Sequence, residues 1–305
     1  MMLLFGTIPD KNLTMTYGQV RQEGDYLFAN GQRFSRTQGT GAMISAALAI
    51  TNYFKLEAPH VLVAGDIGDG KGTRDIYKYL IEHIVELSPE VLTMHYSQPI
   101  MSLMKKFCEA VKGGANRPFL IADAGAMYAA KGAGLAGEFD IFTPDPSEIA
   151  FLADPLATHP AYISHHLFDC DASKIPQQII EAYLLKSAAR MLIVKGKRDY
   201  IAQGGEILAT INEPDVPTLE PIGGTGDTIT GLVSALVYAG MTPKEAAVFA
   251  CRTNRMAGKL VNPTPATKVK DIIDMFPRVC KEYYCAWSGI CYMDSSTTAP
   301  NTPQI

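Results

Sequence analysis

Gly223-Gly224-Thr225-Gly226-Asp227-Thr228-Ile229-Thr230-Gly231 is the stretch from which the rest of the chain can be read. Beyond the aspartate, Ile229, Leu232, Val233, Leu236 and Val237 recur at helical spacing, and Gly240 stands where that helix should stop. Glycines ahead of a helix let backbone N–H groups converge without Cβ obstruction, at the end where the helix dipole is positive. The turn therefore reads as a seat for an anion such as a phosphate group. The dipole contributes only about 0.3–1 kcal/mol, so converging N–H bonds must supply most of the grip. Asp227 has two readings. It caps the helix, as aspartates often do, or it performs chemistry, because a carboxylate beside a phosphate is otherwise repulsive. A full glycine turn before a well-formed amphipathic helix favours chemistry.

Upstream of this turn, short apolar runs alternate with amphipathic stretches. His60-Val61-Leu62-Val63-Ala64 reads as a buried strand, and residues 73–87 as a helix with Ile76, Tyr77, Leu80, Ile81 and Ile84 on one face. Val91-Leu92-Thr93-Met94, Phe119-Leu120-Ile121-Ala122, Asp140-Ile141-Phe142-Thr143 and Met191-Leu192-Ile193-Val194 read as further strands. Helices are expected over 100–111, 179–189, 228–238 and 243–261, and a hairpin turns at Gly204-Gly205. Such alternation predicts an α/β fold with helices on both faces of a mostly parallel sheet. Residues 1–58 are expected to form an N-terminal segment of uncertain structure packed on the main domain, with one helix over 42–54. The main domain spans 59–279, and 280–305 is a tail, disordered from 288. Gln38-Gly39-Thr40-Gly41-Ala42 echoes the later glycine turn but lacks the aspartate, and we take the echo as coincidence.

The 305 residues are 47% hydrophobic and 19% charged, a globular balance, and the net charge of −4 gives no basic surface for nucleic acid. No apolar run approaches the roughly 18 residues of a membrane span. The start lacks the basic region of a signal peptide, so the expected location is the cytoplasm. Cys108, Cys170, Cys251, Cys280, Cys285 and Cys291 are too scattered for a disulfide scaffold, and the last three, clustered near the end, read as reduced thiols on a terminal segment.

The stretch 223–231 resembles the anion-hole motif of ribokinase-like enzymes, in the form seen in the ADP/ATP-dependent NAD(P)H-hydrate dehydratases. Ile121-Ala122-Asp123-Ala124, Phe142-Thr143-Pro144-Asp145-Pro146-Ser147-Glu148 and Ile193-Val194-Lys195-Gly196 resemble further blocks of that family, in its order. The resemblance covers about residues 59–279. Asp145 stands where the family has histidine and Ser147 where it has glycine, and the Leu219-Glu220-Pro221-Ile222 lead-in also departs.

The resemblance implies a three-layer ribokinase-like α/β/α fold. It implies an enzyme in which Asp227 is the general base and Gly223, Gly224, Thr225 and Gly226 bind the phosphates of ADP or ATP. Lys195, at a strand end, reads either as a nucleotide-phosphate contact or as a solvated lysine. Asp123, Asp145 and Gly65 are expected on the substrate side. Glu148 either helps hold Mg2+ through water or caps its helix. His95 reads as an ordinary loop histidine. The expected substrate is hydrated NADH or NADPH, the alternative a sugar or vitamin alcohol in a small-molecule kinase, and the chain is expected to form a homo-oligomer. A rival nucleotide site is Gly65-Asp66-Ile67-Gly68-Asp69-Gly70-Lys71, which fits a P-loop but carries two carboxylates. A third reading is a nucleotide binder without turnover.

Overall fold

In the computed structural model, residues 1–157 and 172–288 are described. Strands β1 (Met2–Ile8), β2 (Thr16–Gln19), β3 (Arg21–Glu23), β4 (Tyr26–Ala29) and β5 (Gln32–Ser35) lead to helix α1 (Gly39–Tyr53). Strand β6 (His60–Gly65), α2 (Lys71–Leu87), β7 (Val91–Met94), α3 (Met101–Lys112), β8 (Phe119–Ala122) and α4 (Ala124–Gly132) follow. Next come β9 (Ile141–Phe142), α5 (Pro146–Ala153), α6 (Ile175–Leu184), β10 (Met191–Val194) and the hairpin β11 (Asp199–Gln203) and β12 (Glu206–Ile211). Helices α7 (Thr225–Tyr238), α8 (Pro243–Val261), α9 (Val269–Ile273) and α10 (Phe276–Ser288) complete the described chain.

The main sheet has the order β12-β11-β10-β9-β8-β7-β1-β6-β2, and a separate sheet has the order β3-β4-β5. The six strands from β6 through β1 to β10 run parallel; β2, β11 and β12 join by antiparallel pairing. Successive side chains of β1 enter opposite layers: Met2 and Leu4 pack with α1, α7 and α8, Leu3 and Phe5 with α2, α3 and α4. That two-sided burial explains why these strands read as continuous apolar runs.

The expected parallel α/β sheet is present, but the domain boundary at residue 59 is not. β1 lies in the middle of the sheet, between β6 and β7. Met2-Leu3-Leu4-Phe5 is a run too short to be told from a buried helix by periodicity; only its neighbours make it a strand. The three-stranded sheet was likewise unforeseen. At the other end, α10 carries residues 280–288, so the tail begins later than expected, and residues 289–305 lie outside the described residues. Cys108, Cys251 and Cys280 are free and buried. Cys285 is disulfide-bonded, which corrects the reading of the terminal three, Cys280, Cys285 and Cys291, as reduced thiols.

From β1 the chain passes to β6 on one side, and α2 then carries it to β7 on the other. Adjacent strands that leave in opposite directions open a crevice at their carboxyl ends. His95, Asp123, Thr143 and Lys195 each follow the last residue of β7, β8, β9 or β10. Among the described residues, no helix is long and apolar enough to cross a membrane.

Candidate active site

The glycine turn ends at Gly224, whose φ of 97° lies in the left-handed region that glycine adopts without a Cβ penalty. A Cβ there would also come 3.2 Å from the Cα of Gln38 and from Val269, so the turn is seated against the start of α1 and of α9. No side chain caps α7. Its first turn is fixed from behind by Asn254 of α8, which accepts from Thr228 Oγ1 at 2.7 Å and donates to the Thr225 carbonyl at 3.1 Å. The front of the turn thus keeps backbone donors for an incoming anion.

Asp227 does not cap its own helix. Its Oδ2 accepts the backbone N–H of Gly39 at 2.9 Å, and its Oδ1 lies 3.1 Å from His95 Nε2. The Gln38–Ala42 stretch, taken as a chance echo, thus packs against the later turn and supplies the donor that holds its aspartate.

Asp123 stands beside this pair. It accepts from Lys195 Nζ at 3.0 and 2.8 Å, from Thr230 Oγ1 at 2.5 Å and from the Ala124 N–H at 2.9 Å. His95 Nε2 lies 3.4 Å from its Oδ2. Burial pushes the Asp123 carboxyl up, but the Lys195 charge and then His95 outweigh it and hold it well below the usual range. Burial depresses Lys195, and Asp123 more than restores it, so the ammonium stays charged. Lys195 is neither solvated nor free. Its chain also runs 3.7 Å from where a Gly226 Cβ would lie, which puts it beside the glycine turn. Arg255 of α8 steadies the loop after β10, donating to Asp199 at 2.7 Å and to the Gly196 and Lys197 carbonyls at 2.9 Å.

His95 corrects the reading of an ordinary loop histidine: it is fully buried. Burial would lower its proton affinity, but hydrogen bonds to Asp123 and Asp227 outweigh this and hold the ring protonated up to about 9. His95, Asp123, Asp227 and Lys195 therefore form a neutral quartet of two cations and two anions. Ligand-type atoms of the first three converge within 4.8 Å, a spacing already balanced by the two cationic side chains. The local sequence carried no signal for His95, because its partners come from other elements. A group whose pKa rises on folding, here from 6.5 to about 9, stabilises the fold fully below 6.5 and ceases to as pH passes 9. Urea-unfolding free energy should therefore fall between pH 6.5 and about 9, and His95→Gln should flatten that slope; an unchanged slope counts against the protonated ring.

The other candidates, Asp145, Glu148 and Gly65, are engaged in local structure. Asp145 is the N-cap of α5, its Oδ1 accepting from Ser147 and Glu148 N–H groups at 2.8 Å. Glu148 completes that capping box, with Oε2 on the Asp145 N–H at 2.8 Å and Oε1 on the Tyr128 hydroxyl at 2.9 Å. Burial, with Asp145 and Asp123 adding to it, pushes the Glu148 carboxyl up to about 8. Both Glu148 oxygens thus accept hydrogen bonds, and the geometry is that of the helix cap, one of its two readings. Gly65 serves close packing: a Cβ there would fall 1.8 Å from the Asp10 carbonyl oxygen.

The P-loop reading fails on charge. Asp66 fills its own loop, with Oδ1 accepting Gly68 and Gly70 N–H groups at 2.9 and 3.0 Å and Oδ2 accepting the Thr73 N–H and hydroxyl. Burial raises the Asp66 carboxyl, yet these donors bring it below its ordinary value. An anion of the chain already occupies the nest a phosphate would need. Lys71→Ala should therefore leave ADP affinity within about twofold, whereas Gly226→Val, which sets a branched side chain in the phosphate approach, should weaken it by about tenfold or more. Calorimetric titration of both folded variants checks the order; a loss confined to Lys71→Ala would reverse it.

A cavity of ≈ 550 Å³ opens beside Gly223, bounded by Gln38, Ile222, Pro263 and Val269 among others. This volume lies within the range of small-molecule sites.

Comparison with known proteins agrees with this architecture. The fold is ribokinase-like: a ribokinase-like superfamily protein of Enterococcus faecalis superposes with a TM-score of 0.55 at 16% identity, over 92% of this chain and 87% of that one. A model of the NAD(P)H-hydrate dehydratase family matches residues 100–278, and the chain belongs to that family. It is 36% identical over 236 residues to an uncharacterised protein of Methanocaldococcus jannaschii, covering 77% of this chain and 97% of that protein. It is 28% identical over 176 residues to a bifunctional NAD(P)H-hydrate repair enzyme of Pyrobaculum aerophilum, covering 55% of this chain and 31% of the relative. An ADP-dependent (S)-NAD(P)H-hydrate dehydratase of Cenarchaeum symbiosum is 27% identical over 94 residues, covering 30% of this chain and 32% of that one. The chain thus spans about a third of the length of these two functionally named relatives.

Proposed function

We propose that the chain dehydrates hydrated NADH or NADPH by nucleotide-dependent phosphoryl transfer. The observation that carries this reading is Asp227, its side chain 13% exposed against 2% for Asp123, at the foot of an uncapped glycine turn. Of two adjacent carboxylates, only Asp227 can be reached by a substrate hydroxyl.

In this reading the nucleotide base lies in the ≈ 550 Å³ cavity and its phosphates reach the Gly223–Gly226 turn. Asp227 takes the proton of the substrate hydroxyl as that oxygen attacks the terminal phosphorus of ADP or ATP. The bond from that phosphorus to its bridging oxygen breaks, and the shortened nucleotide leaves. The N–H groups of Gly224, Thr225 and Gly226 steady charge on the phosphoryl oxygens. The new ester then departs as inorganic phosphate while the ring loses a carbon-bound proton, which restores the dihydronicotinamide. The name of the Cenarchaeum relative supports ADP as donor.

Purified protein supplied with each hydrate and with ADP or ATP should restore reduced-nicotinamide absorbance and release phosphate. A phosphate ester that accumulates without restored absorbance would make the chain a kinase. Neither signal would leave a nucleotide binder.

A further inference from the structure

Gly6 interrupts the interior of β1, where a side chain would ordinarily add packing. A Cβ at Gly6 would come 2.6 Å from Thr40 Oγ1 and 3.3 Å from His95 Cβ. The strand omits a side chain where these two residues lie over it. Thr40 Oγ1 is 3.1 Å from His95 Nδ1, and both residues are buried. The opposite ring nitrogen points at the carboxylates, 3.1 Å from Asp227 Oδ1 and 3.4 Å from Asp123 Oδ2. Thr40 therefore holds one ring nitrogen over the gap that Gly6 leaves in β1, and the other nitrogen is aimed at the carboxylates.

We propose that His95 is the positioning residue of the site: its Nε2–H holds Asp227 Oδ1 while the Gly39 N–H holds Oδ2, and its charge lets the two carboxylates stand ionised side by side. The inference rests on the reading of Asp227 as the base. The charge accounting is local. From the β8–α4 junction Asp123 faces the ring, from α7 Asp227, from α1 the neutral Thr40, and Tyr96 meets it edge-on at 4.4 Å. Lys195 lies behind Asp123 and bonds to it rather than to the ring, which leaves His95 as the cation bonded to Asp227. A protonated ring is a donor throughout the neutral range, as its shift to about 9 requires. Without that cation, two carboxylates converging within 4.8 Å hold a proton between them to higher pH.

His95→Gln retains a hydrogen-bonding amide but no charge. With the hydrate and ADP, its kcat should fall about tenfold or more, with the nucleotide KM within about twofold. The acid limb of its turnover profile should rise by about one pH unit or more. A folded His95→Gln with unchanged kcat and an unmoved acid limb overturns the proposal. A second measurement needs no turnover: the His95 ring proton, followed by NMR, should titrate well above 6.5 in the unaltered chain and move back towards 6.5 in Asp227→Asn. A ring that titrates near 6.5 in both overturns the proposal even if His95→Gln fails to fold. Lack of turnover by the unaltered chain on either hydrate would defeat the functional reading alone, and the ring titration would still decide the coupling of His95 to Asp227.

Discussion

Asp227→Asn should abolish most turnover while sparing nucleotide affinity. A general base contributes about 10²–10⁴-fold, and an amide cannot accept the substrate proton, so kcat should drop by that factor. The side chain keeps its size, and its carbonyl oxygen can still accept the Gly39 N–H that Asp227 Oδ2 accepts at 2.9 Å. Nucleotide binding should hold or tighten, because one negative charge beside the phosphates is gone. Turnover of the hydrate and calorimetric titration of ADP, on the same preparation, separate the two effects. Near-normal turnover would reduce Asp227 to a structural link between α1 and α7.

Lys195→Met should be the most destabilising single change in the site. The ammonium bonds both oxygens of Asp123, and both residues are buried. Removing one partner of a buried pair typically costs about 3–5 kcal/mol, because the other charge is left without compensation. The pH dependence has a definite sign. Asp123 is held below its ordinary 3.8, so its contribution is present above that pH and lost as pH falls through the lower folded value. Urea unfolding at neutral pH should register the loss in Lys195→Met. The double variant Lys195→Met with Asp123→Asn should recover part of it, since neither charge then remains buried alone. A single-variant loss below about 1 kcal/mol, or a double variant no better than the single, would contradict this account.

Much of the scaffold was legible because its signals are local. Apolar runs such as Val61 to Ala64 and Leu92 to Met94, each followed by a helical period, marked the parallel strands from β6 onward. The Gly204-Gly205 turn marked the hairpin of β11 and β12, and both glycines adopt positive φ there. The glycine turn before α7 was legible for the same reason: donors that converge on an anion belong to consecutive residues. Individual side chains were harder to assign. Asp145 and Glu148 fit a capping box three residues apart as well as they fit a ligand site, and the structure chooses the cap.

By itself, then, the sequence determined the α/β class, the strand–helix order from β6 to α8 except for α4, and the turn that can seat a phosphate, because periodicity and turn chemistry act over a few residues. Only the tertiary structure decided that Met2–Ile8 is a central strand, since a short apolar run becomes a strand through its neighbours. The same holds for the site. Gly39 and Asp227 meet across 188 residues, His95 and Asp227 across 132, and Lys195 and Asp123 across 72. Sheet order alone brings such residues together, and the two carboxylates, against the opposing effect of burial, then hold a histidine between them as a fixed cation.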